Sequence, residues 1–475
     1  MERENAWKTY TDAQLEELEA LSRDYIDFIS DNKTERECTQ SAIELAEKAG
    51  YKPLAKAIES GQALKAGDKV WAHTHGKALI LMALGTDRLE DGFNILGAHI
   101  DSPRLDLKQN PLFENTDLAL LDTHYYGGIK KYQWVTLPLA IHGVIAKKDG
   151  SIVEVNVGED PADPVFCISD LLPHLGQEQM KKTASEVIDA ETLDVLVGGW
   201  PLSVDEDAEV ADDAPAWEKV AKKEPVKAHV LKVLAQKYGI DEEDFLSAEL
   251  EVVPAGRARE LGFDRSMVIG YGQDDRVCAY TSLIAQLAIE NPTRSVVTVL
   301  VDKEEIGSVG ATGMESLFFE NTIAEIMELA GEGGQLKLRR ALANSKMLSS
   351  DVSAALDPSY ASVFEPKNAA YLGRGLVFNK YTGARGKSGS NDTSAEFVAE
   401  VRKVMDDADV AFQTAELGKV DIGGGGTIAY IPAKYDMDVI DSGVAVLSMH
   451  APWEVTSKAD IYEARKGYEA FLKNA

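Results

Sequence analysis

Two adjacent carboxylates follow an apolar run at a place that suits catalysis. The run Val296-Val-Thr-Val-Leu-Val301 predicts a buried strand, and Glu304 and Glu305 come shortly after it. Consecutive residues on an extended chain project to opposite sides, so one glutamate could hold a metal ion while the other moves a proton. For this stretch taken alone, a solvated acidic turn is the alternative interpretation.

Other strand-like runs end in residues of the same kind. The run from Phe93 leads to His99 and Asp101, which share one side of an extended chain. This spacing suits a metal-binding histidine whose second ring nitrogen is oriented by a carboxylate. Further ligand-type residues close predicted strands elsewhere, namely Asp274, Asp351 and His450. Because ligands bind beyond the carboxyl ends of strands in open α/β sheets, we expect the site there.

The combined set of imidazoles and carboxylates predicts a metal centre with two ions. Mixed nitrogen and oxygen ligands suit zinc, with cobalt or manganese as alternatives. One catalytic zinc takes three protein ligands, whereas two ions that share a bridging carboxylate would use all five residues. Two such ions polarise a substrate carbonyl and activate water, and Glu304 would be the general base. The five predicted ligands are His99, Asp274, Glu305, Asp351 and His450.

The elements that position these residues alternate between helix and strand at both ends of the chain. One helix is predicted to begin with the capping residues at Thr11, and a second is predicted near Thr34 to Ala49. The run Gly443-Val-Ala-Val-Leu-Ser-Met-His450 is predicted to be one strand, and Asp274 is expected to close another.

The middle of the chain is richer in strands. Two alternating runs around the turn Lys147-Lys-Asp-Gly150 predict a β-hairpin. We therefore predict a discontinuous α/β catalytic domain, residues 1–104 plus 266–475, interrupted by an inserted domain at residues 105–265. Within the insertion, the acidic run 204–216 is interpreted as a mobile loop.

Composition excludes several classes of protein. The 475 residues include 49 Lys and Arg against 79 Asp and Glu, a net charge of −30 that opposes binding to nucleic acid or anionic membrane. The three cysteines are widely spaced, so neither a disulfide framework nor a cysteine zinc site is indicated. The first residues lack the apolar core of a signal peptide, and no long uncharged apolar run follows. We expect a soluble cytoplasmic protein.

Several motifs together resemble a known family. Over essentially its whole length, the chain is similar to the aspartyl aminopeptidase-like family 18 of metallopeptidases, and more closely to the bacterial branch. The match lies in the order and spacing of Gly97-Ala-His-Ile-Asp-Ser-Pro-Arg-Leu-Asp-Leu-Lys108, Gly272-Gln-Asp-Asp-Arg276, Asp302-Lys-Glu-Glu-Ile-Gly-Ser308, Ser349-Ser-Asp-Val-Ser353 and Ser448-Met-His-Ala-Pro452.

The resemblance implies a fold, an assembly and an activity. The fold would be a mixed-sheet di-zinc exopeptidase domain interrupted by a smaller β-rich dimerisation domain, with dimers assembled into a tetrahedral dodecamer. The activity would be removal of amino-terminal residues from peptides by two-metal hydrolysis.

The resemblance also implies a role for each residue of the site. His99 and Asp351 would hold one metal ion, Glu305 and His450 the other, and Asp274 would bridge them. Glu304 would be the base, and Asp101 would support His99.

Substrate preference stays open between acidic and neutral amino-terminal residues. The best-known family members prefer Asp or Glu, and Lys380 matches a substrate-binding lysine of the family. The segment that follows Lys380 lacks a tyrosine found in the acidic-specific members. His174 matches a histidine that, in those members, reaches into the active site of the neighbouring subunit.

Two other functions remain as alternatives. One is a metal-dependent amide hydrolase of the same superfamily that acts on carboxypeptidase-type or N-acyl substrates. The other is a non-catalytic shell protein, which should have lost Glu304 or a metal ligand, but none of these residues is missing.

Overall fold

The computed structural model describes residues 4–205, 207 and 210–475. The chain divides into two compact units. The first unit runs through Ser102 and resumes with Arg257–Met449 and Trp453–Ala475, and the second is Pro103–Gly256 with His450–Pro452. Part of the acidic run interpreted as a mobile loop, at residues 206, 208 and 209, lies outside the described residues.

Helices occur in both units. Their bounds are α1 (Asp12–Asp31), α2 (Glu35–Lys48), α3 (Leu54–Ser60), α4 (Ala216–Val220), α5 (Pro225–Tyr238), α6 (Gln273–Leu287), α7 (Phe318–Leu329), α8 (Gln335–Ala343), α9 (Ala384–Lys387), α10 (Ala395–Asp407), α11 (Tyr430–Ala433) and α12 (Lys458–Asn474).

Within the part of the chain that the structure describes, the strands form three sheets. Their bounds are β1 (Lys52–Pro53), β2 (Lys69–Thr74), β3 (Ala78–Ala83), β4 (Asn94–His99), β5 (Arg104–Asn115), β6 (Leu118–Tyr126), β7 (Leu139–Ala146), β8 (Ile152–Val157), β9 (Val195–Gly198), β10 (Ala248–Pro254), β11 (Arg259–Leu261), β12 (Met267–Gly270), β13 (Val296–Val301), β14 (Lys346–Ser349), β15 (Ser353–Ala354), β16 (Leu376–Asn379), β17 (Phe412–Thr414), β18 (Asp438–Gly443), β19 (Ala445–Leu447) and β20 (Glu454–Ser457).

A nine-stranded mixed sheet forms the centre of the first unit, in the order β1-β2-β3-β13-β4-β14-β18-β16-β17. The strands β13, β4, β14 and β18 run parallel to one another, so their carboxyl ends lie at one edge of the sheet. The strand β13 pairs with β4 along its length, and the last paired residues are Val301 of β13 and His99 of β4. This register brings the segments that follow both strands to the same edge.

Both faces of this sheet are buried, as its continuous apolar strands predict. In β3, Leu79 and Leu81 pack into the hydrophobic cluster that includes Tyr25 of α1 and Phe471 of α12. The alternate residues Ile80 and Met82 join the opposite cluster with helices α7 and α8. Helices therefore cover the sheet on both sides, and the predicted α/β class with mixed sheets is confirmed.

The helix starts predicted near Thr11 and Thr34 are confirmed. Both residues form reciprocal capping boxes, Thr11 with Gln14 and Thr34 with Glu37. These caps satisfy backbone N–H groups that the first helical turn leaves without partners.

A five-stranded sheet in the first unit has the order β11-β12-β20-β19-β15. The predicted single strand over Gly443–His450 is wrong, because the chain changes sheets at Val444, between β18 and β19. Gly443 permits this path, since an added Cβ there would lie 1.8 Å from the Asp351 carbonyl oxygen.

The second unit contains a six-stranded sheet in the order β8-β7-β10-β5-β6-β9. The strands β7 and β8 pair antiparallel across the turn in which Gly150 N–H donates to the Lys147 carbonyl oxygen, so the predicted hairpin is confirmed. Helix α5 also belongs to this unit, and its residues Val226, Ala228 and Leu231 are buried.

Candidate metal centre

Three predicted ligands converge at the edge of the nine-stranded sheet. One ligand atom from each of His99, Asp274 and Glu305 lies within 4.8 Å of the other two. His99 Nε2 is 3.3 Å from Asp274 Oδ1, and both residues are buried. One imidazole and two carboxylates fit a divalent cation such as zinc. Within residues 4–205, 207 and 210–475, no other group of histidine, cysteine or acidic residues has this geometry.

The adjacent glutamates lie on a turn and not on an extended chain. The strand β13 ends at Val301, and Glu304–Ile306 form one turn of 3-10 helix. Lys303 precedes that turn with a φ of 71°, in the left-handed region. This reversal explains why the expectation of two opposite projections from a strand was wrong.

Asp274 lies at the start of α6, where its own backbone is not helical (ψ 106°), and it does not close a strand as we expected. The strand β12 ends earlier, at Gly270, and Gly272 turns the chain with a φ of 73°. Hydrogen bonds hold both backbone polar groups of Asp274. Its N–H donates to Glu454 Oε2 at 3.1 Å, and its carbonyl accepts from Ser102 Oγ at 2.7 Å.

Asp101 links the histidine to the glutamates. His99 Nδ1 is 3.0 Å from the Asp101 carbonyl oxygen and 3.3 Å from its carboxylate Oδ1. The same carboxylate accepts the backbone N–H groups of Glu304 and Glu305, each at 3.2 Å. The sequence predicted only the first role. The second was not predictable, since it joins residues about two hundred positions apart along the chain.

The charges at the site favour a cation. Burial acts to lower the pKa of His99, but hydrogen bonds to Asp101 and Asp274 and the charge of Glu304 raise it well above its usual range. Burial, followed by the charges of Asp275 and Glu304, raises the pKa of Asp351 well above the ordinary value. Crowded carboxylates that resist ionisation are expected where a bound metal ion would supply the compensating charge.

Asp275 is fully buried beside Asp274, and the sequence alone suggested no role for it at the metal centre. Burial raises its pKa well above the ordinary value, while the charge of His99 acts in the opposite direction. The Asp-Asp pair in the sequence was the available signal for this second carboxylate.

The other two predicted ligands lie outside the group of three. Asp351 follows β14, and its N–H donates to the Ser442 carbonyl oxygen at 3.3 Å. His450 belongs to the second unit, where its Nδ1 lies 2.9 Å from the Gly128 carbonyl oxygen. Their metal binding stays a prediction from the sequence.

Comparison with known proteins decides the family. A family model described as Aminopeptidase I zinc metalloprotease (M18) matches residues 28–472. A probable M18 family aminopeptidase 1 of Clostridium acetobutylicum is 61% identical over 473 residues, which is 100% of this chain and 98% of that protein. This chain belongs to the M18 family of aminopeptidases.

Solved structures show the same similarity. An M18-family aminopeptidase from Thermotoga maritima is 45% identical and superimposes with a TM-score of 0.92 over 100% of both chains. Aminopeptidase I from Clostridium acetobutylicum is 58% identical, with a TM-score of 0.88 over 100% of both chains. The expectation of a metal-dependent aminopeptidase is thus confirmed.

The two predicted substrate-binding residues of this M18 aminopeptidase are exposed. In the first unit, Lys380 Nζ donates to Asp392 Oδ1 at 2.5 Å, and Lys387 Nζ donates to Asp392 Oδ2 at 2.9 Å. In the second unit, His174 lies on a turn closed by a bond from Leu175 N–H to the Leu172 carbonyl oxygen. The substrate-binding roles of both residues stay predictions from the sequence.

Among the described residues of the M18 aminopeptidase, every helix is too short or too polar to cross a membrane.

Proposed function

We propose that this M18 aminopeptidase cleaves amino-terminal residues from peptides with two divalent ions, zinc foremost, bound at the edge of the nine-stranded sheet. Asp274 would bridge the ions, His99 and Asp351 would hold one, and Glu305 and His450 the other. The convergence of His99, Asp274 and Glu305 is the observation that supports this most strongly. The roles of Asp351 and His450 rest on the family resemblance.

The ions would supply Lewis acidity for the scissile carbonyl and for the attacking water. Glu304 is then the residue of the protein that accepts and donates protons in the reaction. Its Oε2 is 3.9 Å from His99 Nε2, and its side chain is 16% exposed, so it is close to the ligands and still reached by solvent. We infer that Glu304 takes the proton of the attacking water and delivers a proton to the departing amine.

Asp101 has a separate task in this mechanism. Its backbone carbonyl and its carboxylate hold the Nδ1 side of His99, which leaves Nε2 directed toward Asp274. The same carboxylate accepts the backbone N–H groups of Glu304 and Glu305. One buried carboxylate therefore positions the ligand His99, the base Glu304 and the ligand Glu305.

The free amino terminus of the substrate distinguishes this function from the amide-hydrolase alternative. We expect cleavage of leucyl and glutamyl reporter amides and none of the same reporters after N-acetylation. Faster cleavage of the acetylated compounds would favour an N-acyl hydrolase.

Substrate preference is expected to depend on Lys380 and its partner. We propose that Lys380 faces the first side chain of the substrate and that Asp392 weakens its attraction for acidic residues. Asp392→Asn should then raise the ratio of kcat/KM for glutamyl over leucyl reporters by about 2- to 5-fold, the range for an exposed ion pair. Lys380→Ala should lower that ratio.

The matched control is Asp407→Asn, because Asp407 pairs with Lys403 on helix α10. It should leave the ratio unchanged. A wild-type preference for leucyl reporters that neither Asp392→Asn nor Lys380→Ala alters would remove both residues from substrate recognition.

We propose that the chain forms a homo-oligomer and that its inserted domain serves dimerisation. A yeast aminopeptidase structure with 20% identity and a TM-score of 0.76 is described as a dodecamer. In the second unit, the turn with His174 exposes the apolar side chains of Leu171, Leu172 and Leu175. Exposed apolar side chains of this kind suit contact with a second subunit. By resemblance to the family, the whole assembly would be a tetrahedral dodecamer.

His174 is expected to act on the active site of a neighbouring subunit. We predict that His174→Ala and Glu304→Ala are each impaired but regain turnover when their subunits are exchanged, because one mixed site would have an intact base and an intact histidine. Activity of the exchanged mixture, measured with a free-amine reporter, tests this.

His124→Ala provides the control, since His124 is another exposed histidine of the same unit. It should retain activity on its own. Mixed oligomers that are verified by mass spectrometry and yet stay inactive would mean that His174 acts within its own chain or only in folding.

A further inference from the structure

The two glutamates belong to a short loop with little apolar anchorage. We call residues 302–313, which follow β13, the glutamate loop. Two of its apolar residues are largely exposed to solvent, Ile306 at 52% and Val309 at 65% of the residue surface. Hydrophobic packing of these side chains therefore does not fix the loop, and polar contacts must do so.

The ends of the glutamate loop are joined by a buried pair. Thr312 Oγ1 donates to Asp302 Oδ2 at 2.6 Å, and Asp302 N–H donates to the Thr312 carbonyl oxygen at 3.1 Å. Asp302 is 0% exposed and Thr312 is 4% exposed. A hydrogen bond to a carboxylate in such an environment is stronger than one between neutral groups.

Further contacts connect the rest of the glutamate loop to the Asp302–Thr312 pair. Lys303 Nζ donates to the same Asp302 Oδ2 at 2.8 Å, and Ser308 N–H donates to the Lys303 carbonyl oxygen at 2.6 Å. Gly310 leaves room for the lysine, because an added Cβ there would lie 3.2 Å from Lys303 Cε. A movement of Asp302 would therefore also move Lys303 and, directly after it, Glu304.

We propose that the Asp302–Thr312 pair is a clasp that sets the positions of Glu304 and Glu305, which makes Asp302 and Thr312 positioning residues of the reaction. This inference rests on the proposed function of the two glutamates. The clasp acts at the ends of the loop, whereas Asp101 acts on the peptides of Glu304 and Glu305 inside it.

Thr312→Val tests the clasp because it preserves shape and removes the donor. We expect kcat to fall by about 10- to 100-fold, the effect of a small misplacement of catalytic groups, with KM changing far less. Thr312→Ser keeps the hydroxyl and should recover most of kcat. In metal-free protein, amide hydrogen exchange of residues 304–309, followed by mass spectrometry, should be faster in Thr312→Val than in wild type.

Thr298→Val is the matched control. Thr298 is 0% exposed on β13, and its Oγ1 donates to Gln286 Oε1 at 3.0 Å, so the substitution also deletes a buried hydroxyl bond. It should leave kcat and the exchange of the glutamate loop near their wild-type values. If Thr312→Val does not fold, Thr312→Ala removes the same donor and replaces it in the comparison.

The outcomes separate the clasp from the proposed function. Wild-type kcat and exchange in Thr312→Val, or an equal loss in Thr298→Val, would overturn the clasp. If wild-type protein cleaves no free-amine reporter, the proposed function fails, and hydrogen exchange in the metal-free protein still decides whether the pair holds the loop.

Discussion

Glu304→Gln is expected to lower the turnover number by at least about 100-fold, the lower end for general base catalysis, while the protein keeps its metal. Glutamine has nearly the shape of glutamate, but its amide cannot accept a proton near neutral pH. The Asp101 contact to the peptide of residue 304 does not involve the side chain and should survive. The loss would therefore report on proton transfer and not on the position of the loop.

The measurement is kcat with a free-amine reporter, together with metal content by mass spectrometry. Glu325→Gln on helix α7 is a suitable control, since Glu325 is exposed and lies outside the site. It should leave both quantities unchanged. Retention of near-wild-type turnover by Glu304→Gln would remove Glu304 as the base.

Glu305→Gln is expected to give the opposite pattern, with metal lost first and activity lost as a consequence. Loss of even an outer partner of a metal ligand costs about 10- to 100-fold in metal affinity, and loss of a direct anionic ligand should cost at least as much. Glu305 lies with His99 and Asp274 in the group of converging ligand atoms. Excess metal should restore part of the activity of Glu305→Gln but none of that of Glu304→Gln.

The two variants are compared by titrating metal-free protein with zinc while activity is followed. The zinc concentration at half-maximal activity should be higher for Glu305→Gln than for wild type and unchanged for Glu304→Gln. That result would support Glu305 as the metal ligand and Glu304 as the base. If the shift occurs in Glu304→Gln alone, the two glutamates have exchanged roles.

The sequence predicted those parts of the fold that depend on local pattern. The apolar run 296–301 forms the buried strand β13, and helices begin after Thr11 and Thr34, because burial and capping are determined by nearby residues. The spacing of His99 and Asp101 likewise predicted the contact between the imidazole and the carboxylate.

What the sequence could not predict depends on contacts between distant segments. No local signal shows that Lys303 adopts a left-handed conformation and places the glutamates on a turn. The bond from Asp274 N–H to Glu454 joins segments 180 residues apart, and the order of strands in the sheet decides which ends meet. The change of sheet at Val444 also results from tertiary packing, since the apolar pattern continues through it.

The proposed mechanism requires that His99, Asp274 and Glu305 hold metal that the aminopeptidase reaction needs. The most direct measurement is the cleavage rate of a leucyl reporter by protein freed of metal with a chelator, before and after zinc is added back, with bound metal counted in the same samples. We predict no cleavage by metal-free protein, recovery on addition of zinc, and little recovery in Glu305→Gln at the same zinc concentration. Cleavage at the original rate by protein verified to be free of metal would contradict a metal-dependent reaction at these residues.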